Sequence, residues 1–203
     1  MILLAHSARN GKPPQLYRDH VAEVVKRTCD NIKDLNPYID EKRLDRYMEI
    51  GKDSAEYHDI GKLAAENQDI LAGRKKSEHL AFDHRDVGVK YLIGSAKERS
   101  SATLVYAHHK PGLPNLKAMM SGCTPFRFCK AIADSDAHLQ DYIDLHRRET
   151  GCADKPHNSG PTRRLSAMEY RILLSCLVDA DYSDTAGENG LFPETRWKER
   201  LDK

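Results

Sequence analysis

EKRLDRYMEIGKDSAEYHDIGK, residues 41–62, is the stretch whose reading decides the fold. It reads as one helix from about Glu41 that breaks near Gly61. The helix ends on YHDIGK, residues 57–62, where adjacent His58 and Asp59 offer an imidazole and a carboxylate from a single helix end. A carboxylate has two oxygens and can bridge two cations. Gly61 lets the backbone turn away, and Lys62 aims a cation at the same region. Alone, a His-Asp pair is common by chance, and the dipeptide by itself favours the plain reading of a helix end with a hydrogen-bonded histidine. Its meaning depends on what the rest of the chain brings to it.

Working outward, helical periodicity continues in both directions. QLYRDHVAEVVKRTCDNI, residues 15–32, puts Leu16, His20 and Val24 beside Val21, Val25 and Thr28 on one side. Asp83 reads as the N-cap of a helix through HRDVGVKYLIGS, with Asp86 in its first turn. SATLVYAHHK, residues 101–110, is a short apolar helix stopped by Pro111 and Gly112. AIADSDAHLQDYIDLHRRE, residues 131–149, is a mostly polar helix. RRLSAMEYRILLSCLVDADYSD, residues 163–184, is the most apolar and reads as central. Two punctuated stretches, KPGLPNLKAMMSGCTPFRF at 110–128 and ETGCADKPHNSGPTRR at 149–164, read as loops. FPETRWKERLDK, residues 192–203, opens another helix and then stops, which fits the N-terminal part of a longer chain.

Composition bounds the answer. At 203 residues and 39% hydrophobic the chain is long enough for one domain with a sizeable core, or for two tight ones. Aromatics at 7% and charged residues at 31% suit helices with charged outer faces better than a β-sandwich. The formal net charge is +1, so the chain lacks the basic excess of a protein that grips long stretches of nucleic acid unaided. Its 5 Cys are odd in number and form no C-x-x-C pair, and Cys123 and Cys129 lack a zinc-site spacing. The opening MILLAHS has no basic leader, and no apolar run approaches membrane-spanning length. The expectation is a reduced, cytoplasmic protein without a membrane span.

The ten His are the unusual feature. His20 faces inward on its stripe, and a lone buried His is ordinarily a core residue bonded to a carbonyl. His108 and His109 are about 100° apart on a helix, so both reach one cavity only at the edge of the buried face. His84 sits in a first turn, with a surface or capping role as its plain alternative. His79 lies in a loop and ranks second. Asp181 follows Leu174, Leu177 and Val178 at spacings that share their buried face. A carboxylate there is costly unless paired or metal-bound. Asp181 is therefore preferred over Asp179, on the opposite face, and over Asp184. Each residue has a plain explanation, but the set shares none. Imidazole and carboxylate together suit a divalent transition-metal or mixed site, and these ligands exceed what one ion needs. Two ions bridged by a carboxylate are the standard device for in-line phosphoester hydrolysis.

The ordered set resembles the HD superfamily of metal-dependent phosphohydrolases and, more narrowly, the HD nuclease domain of type I CRISPR helicase-nucleases. The resemblance covers nearly all of residues 1–203. It is carried by AHS at 5–7, LYRDHV, YHDIGK, DHRDVG, the paired-His AHHKPGL and the closing LVDADYSDT. Arg85 stands where the family usually has a small hydroxyl residue, and Tyr182-Ser183 replaces a more usual bulky apolar pair. The resemblance implies a single all-α domain, a compact helical bundle with a metal site between central helices. It implies two divalent ions (Mn, Mg, Ni, Co or Fe). His20, His58, Asp59 and Asp181 would hold one ion, and Asp59, His84, His108 and His109 the other. Lys62 would sit beside the scissile phosphate, so that Asp59 and Lys62 are the catalytic candidates. The implied activity is cleavage of single-stranded DNA in CRISPR interference, fed by a fused or separate helicase and acting with a surveillance complex. The alternatives are an HD phosphohydrolase acting on nucleotides or cyclic nucleotides, and a non-catalytic helical adaptor.

Overall fold

In the computed structural model, the described residues are 2–9, 11–95, 99–109, 112–115, 127–128, 130–152 and 165–186. Most of the stretches 110–128 and 149–164, with Cys123 and Cys129, and all of 192–203 lie outside them. The protein is all-α, as its periodicity predicts. The α-helices are α1 (Tyr17–Lys33), α2 (Glu41–Tyr57), α3 (Ala65–Leu71), α4 (Arg85–Ser95), α5 (Ser100–Ala107), α6 (Ile132–Thr150) and α7 (Ala167–Ala186). A small antiparallel ribbon of β1 (Leu4–His6) and β2 (Gln15–Leu16) precedes them, a feature the periodicity does not announce. No helix among the described residues is long and apolar enough to cross a membrane.

Local chemistry sets the helix ends. The Asp40 carboxylate caps α2 by accepting from the Arg43 N–H at 2.9 Å. Ser166 and Glu169 form a reciprocal capping box at the start of α7, with contacts of 2.6 and 3.2 Å. Asp83 accepts from the Arg85 N–H at 3.1 Å, so the expected cap of α4 is present. Leu16 lies in β2 rather than in α1, because the Tyr17 N–H donates to the Leu3 carbonyl and holds this edge in the ribbon.

α1 buries Tyr17, His20, Val21, Val24, Thr28 and Ile32, a three-and-four spacing that faces it onto α2 and α7. One apolar cluster joins Val24 and Ile32 to Tyr47, Ile50, Leu104, Leu173 and Leu177. A second joins Tyr17 and Val21 to Tyr57, Ile60, Val89, Leu92 and Val105, and reaches Tyr142 and Ile143 of α6. His146 of α6 is fully buried between the Tyr17 hydroxyl (2.9 Å) and the Glu56 carboxylate (3.0 Å), a structural polar group in that core.

Two buried amides on α3 fix the turn after α2. Gln68 donates to the carbonyls of Leu4 and Lys62 and accepts from the Leu4 N–H, at 2.7–2.9 Å. Asn67 donates to the carbonyls of Gly61 and Phe82 and accepts from the Phe82 N–H, at 2.9–3.1 Å. They tie β1, the His-Asp turn and the approach to α4 into one unit. Gly61 completes it: its N–H donates to the His84 carbonyl at 3.0 Å, and a Cβ at Gly61 would lie 2.4 Å from that oxygen.

Candidate metal centre

α2 ends at Tyr57, and His58 caps it with helical backbone angles. Asp59 then leaves the helix (φ −115°, ψ 9°), and a 3-10 turn, Ile60–Leu63, follows. This exit aims His58 and Asp59 into the interior, where they are 0% and 1% exposed. α1 brings His20 to them, α7 brings Asp181, the start of α4 brings His84, and the end of α5 brings His108 and His109.

Four ligand atoms converge in the first group. His20 Nε2 lies 3.2 Å from His58 Nε2 and 3.0 Å from Asp59 Oδ2. His58 Nε2 is 3.4 Å from Asp59 Oδ2. Asp181 Oδ1 is 3.5 Å from His20 Nε2 and 3.8 Å from His58 Nε2. Bonds of about 2.1 Å to one ion, at tetrahedral or octahedral angles, place ligand atoms roughly 3.0–3.4 Å apart. The spacing is thus close to that of a single coordination shell. The rings are pre-oriented for it. His58 Nδ1 donates to the Ala55 carbonyl at 2.7 Å, and His20 Nδ1 donates to the Asp184 carboxylate. Each proton fixed on Nδ1 leaves Nε2 as the ligand atom, the usual outer support of a metal-bound imidazole.

The second group is His84, His108 and His109, whose ligand atoms lie within 4.8 Å of one another. His108 Nδ1 donates to the Val105 carbonyl at 2.7 Å, which again turns Nε2 inward. Asp59 Oδ1 faces this group and is 3.3 Å from His84 Nε2. Asp59 Oδ1, His84 Nε2 and His108 Nε2 are all buried and make no hydrogen bond. Buried polar atoms without partners are rare, and three around one point fit a cation. Buried His and Asp groups of this protein could therefore hold a metal ion.

The electrostatics agree. Burial lowers the pKa of His84 to about 3 despite the pull of Asp59, and pushes His108 well below the usual histidine range. Burial also lowers His109. These imidazoles are held neutral, the form that binds metal. Burial opposes ionisation of Asp59, but His58, Lys62 and the hydrogen bond from His20 outweigh it and hold the carboxyl well below the carboxylate range. Lys62 Nζ lies 2.6 Å from Asp59 Oδ2 and is almost wholly buried.

The structure brings together His20, His58, Asp59, Lys62, His84, His108, His109 and Asp181. It does not bring Asp179, which is exposed and 3.2 Å from Asn31, nor His79, which is exposed and bonded to Ser77. Asp184 supports His20 and also accepts from Gln15 at 2.7 Å. Sequence reasoning missed His6: the ribbon places it beside His20, with ring centroids 4.8 Å apart, and its ligand atom lies within 4.8 Å of those of His20 and Asp181. Burial, with Lys62 and His20, lowers its pKa to about 3. The only signal was AHS, a short motif without helical periodicity. Arg85 has a clear task. It pairs with the Asp83 carboxylate at 2.7 Å, donates to the Tyr106 carbonyl at 3.1 Å, and lies 4.1 Å over the Phe128 ring. It joins the start of α4 to the end of α5, which are the carriers of His84 and His108–His109. Against protein families, curated proteins and solved structures, the chain has no match.

Proposed function

We propose that this protein is an HD-type nuclease that hydrolyses phosphodiester bonds of single-stranded DNA with two divalent ions. The observation that carries the reading is the position of Asp59. Its Oδ2 belongs to the His20–His58–Asp181 group, and its Oδ1 faces His84 and its neighbours. A carboxylate with one oxygen in each of two imidazole-rich groups is the arrangement a bridged ion pair requires. His20, His58, Asp59 and Asp181 would hold one ion, and Asp59, His84, His108 and His109 the other. Such ions supply an activated water and neutralise charge on the phosphoryl oxygens. The chain's own part is to hold the ligands neutral or ionised as needed and to keep the rings oriented through Ala55, Val105 and Asp184. Lys62 supplies a fixed ammonium at the same point for a non-bridging phosphate oxygen. The finer assignment to CRISPR interference, with a helicase delivering the strand and a surveillance complex upstream, rests on the ordered motifs. The net charge of +1 agrees with a site that is handed its substrate.

The test uses protein stripped of metal, then supplied with manganese, nickel, cobalt or magnesium. Single-stranded DNA is expected to be cut only after metal is returned, duplex DNA and free nucleotides poorly, and His58→Ala or Asp59→Ala not to cut while remaining folded. Metal-loaded protein that leaves single-stranded DNA intact would sink the reading. Preferential hydrolysis of nucleotides would replace it with the small-molecule alternative.

A further inference from the structure

We propose that Tyr182 is a stacking platform for an unpaired nucleobase next to the bond being cut. This rests on the nuclease reading and names how such a site would select single strands. Tyr182 follows Asp181 on α7, and the two side chains diverge: Asp181 is 5% exposed and points inward, whereas Tyr182 is 60% exposed. The Tyr182 ring stands edge-on to His109, with centroids 6.4 Å apart. His109 is half-buried and its ring is 5.1 Å from that of His84. The exposed phenol therefore sits directly beside His109, the half-buried outer member of the His84–His108–His109 group.

Among the described residues, the other exposed large hydrophobics are Ile2, Tyr38 and Met168. Met168 is on the same helix but 14 residues earlier, about 21 Å along its axis. Single exposed apolar residues are ordinary. What sets Tyr182 apart is its contact with an imidazole of the metal centre. Its ring is not core, since most of it meets water, and a helix surface position takes a polar residue at no cost to the fold. An aromatic face beside a phosphodiester-cleaving centre offers what a base needs, because every base has a π-face and stacks without regard to sequence. In a duplex those faces are already stacked on their neighbours, whereas an unpaired base is free to lie on the ring. The ligand class is thus an unstacked nucleobase of either purine or pyrimidine type.

The experiment uses the full chain with manganese and three labelled substrates: a single-stranded oligonucleotide, the same strand with abasic residues throughout its centre, and a duplex. Binding is read by fluorescence anisotropy and cleavage by gel, for wild type, Tyr182→Ala, Tyr182→Phe and Tyr182→Trp. In the wild type the based strand is expected to bind roughly 5- to 150-fold more tightly than the abasic strand. In Tyr182→Ala that ratio should fall to about one, while Phe and Trp retain it. Manganese affinity, measured on the same samples, should be the same in all four proteins. An unchanged ratio in Tyr182→Ala overturns the proposal, as does a loss of manganese affinity, which would place the ring in the support of the metal centre. If the strand binds with a base preference but is not cut, the nuclease reading fails and the platform stands. If it is cut equally with and without bases, the platform fails and the nuclease stands. Neither binding nor cutting removes both.

Discussion

Replacing Gly61 by alanine tests how closely the candidate metal centre depends on one backbone contact. A Cβ at Gly61 would lie 2.4 Å from the His84 carbonyl oxygen, 2.7 Å from its Cα and 2.8 Å from its carbonyl carbon. An ordinary carbon–oxygen contact is about 3.4 Å. The segment bearing His84 must therefore retreat by about 1 Å, because the obstacle is backbone and cannot rotate away. His84 Nε2 now sits 3.3 Å from Asp59 Oδ1. Metal–ligand distances tolerate only about 0.2 Å, so a retreat of that size takes His84 out of the second group. On the proposed two-ion reading, the expected result in a manganese titration is one site at wild-type affinity, assigned to His20, His58, Asp59 and Asp181, and a second weakened by roughly 10–100-fold or lost. The strain should also cost about 1–3 kcal/mol of stability, a fall of roughly 2–12 °C in Tm for a chain of this size. Gly94→Ala is the control. It lies in α4, the same helix that follows His84, and its Cβ would meet nothing within 4 Å. It should leave both sites intact and hold or raise Tm. If Gly61→Ala binds manganese at both sites as the wild type does and melts at the same temperature, the close-contact argument is wrong.

Asp184→Ala removes the acceptor that fixes His20 and should weaken manganese binding by roughly 10–100-fold, with partial recovery in Asp184→Asn. Asp179→Ala, at an exposed position, should leave the same titration unchanged. Gln68→Met keeps the volume but strands the backbone groups of Leu4 and Lys62. Each stranded group costs about 1–3 kcal/mol, so thermal unfolding should show a loss of several degrees even with metal present. Metal-stripped protein should lose stability as pH falls. His6 and His84 have folded pKa values near 3, and His108 and His109 are also lowered, so the unfolded chain binds protons first once pH drops below about 6.5. Their contribution is present above that pH and is lost as pH falls from there toward 3, at about 1.4 kcal/mol per pH unit for each imidazole titrating in that window. His20, whose pKa is raised, acts in the opposite sense but is outnumbered. Scanning calorimetry of the stripped protein between pH 7.5 and 5 should show Tm falling, and a flat profile would contradict the assignment of neutral, buried imidazoles.

The sequence alone determined the helical architecture, because apolar residues at three-and-four spacing can be buried only by helices. It also supplied the His and Asp residues that could hold a metal ion, and the buried stripe of the last helix separated Asp181 from Asp179. These are properties a helix imposes locally, and they can be read without knowing what packs against it. Other features belong to tertiary structure. His6 enters the centre because a short ribbon folds against α1, and no periodicity marks a ribbon of that length. Asn67 and Gln68 look like surface residues of a polar segment until β1 and the turn before α4 close over them. Arg85 departs from the pattern the resemblance implies, yet the fold uses it to bind two ligand-bearing helices together. The division of Asp59 between two imidazole groups depends on distances of a few ångströms between four helices and a turn. Such distances are set by how the helices pack, and residue order along the chain does not contain them.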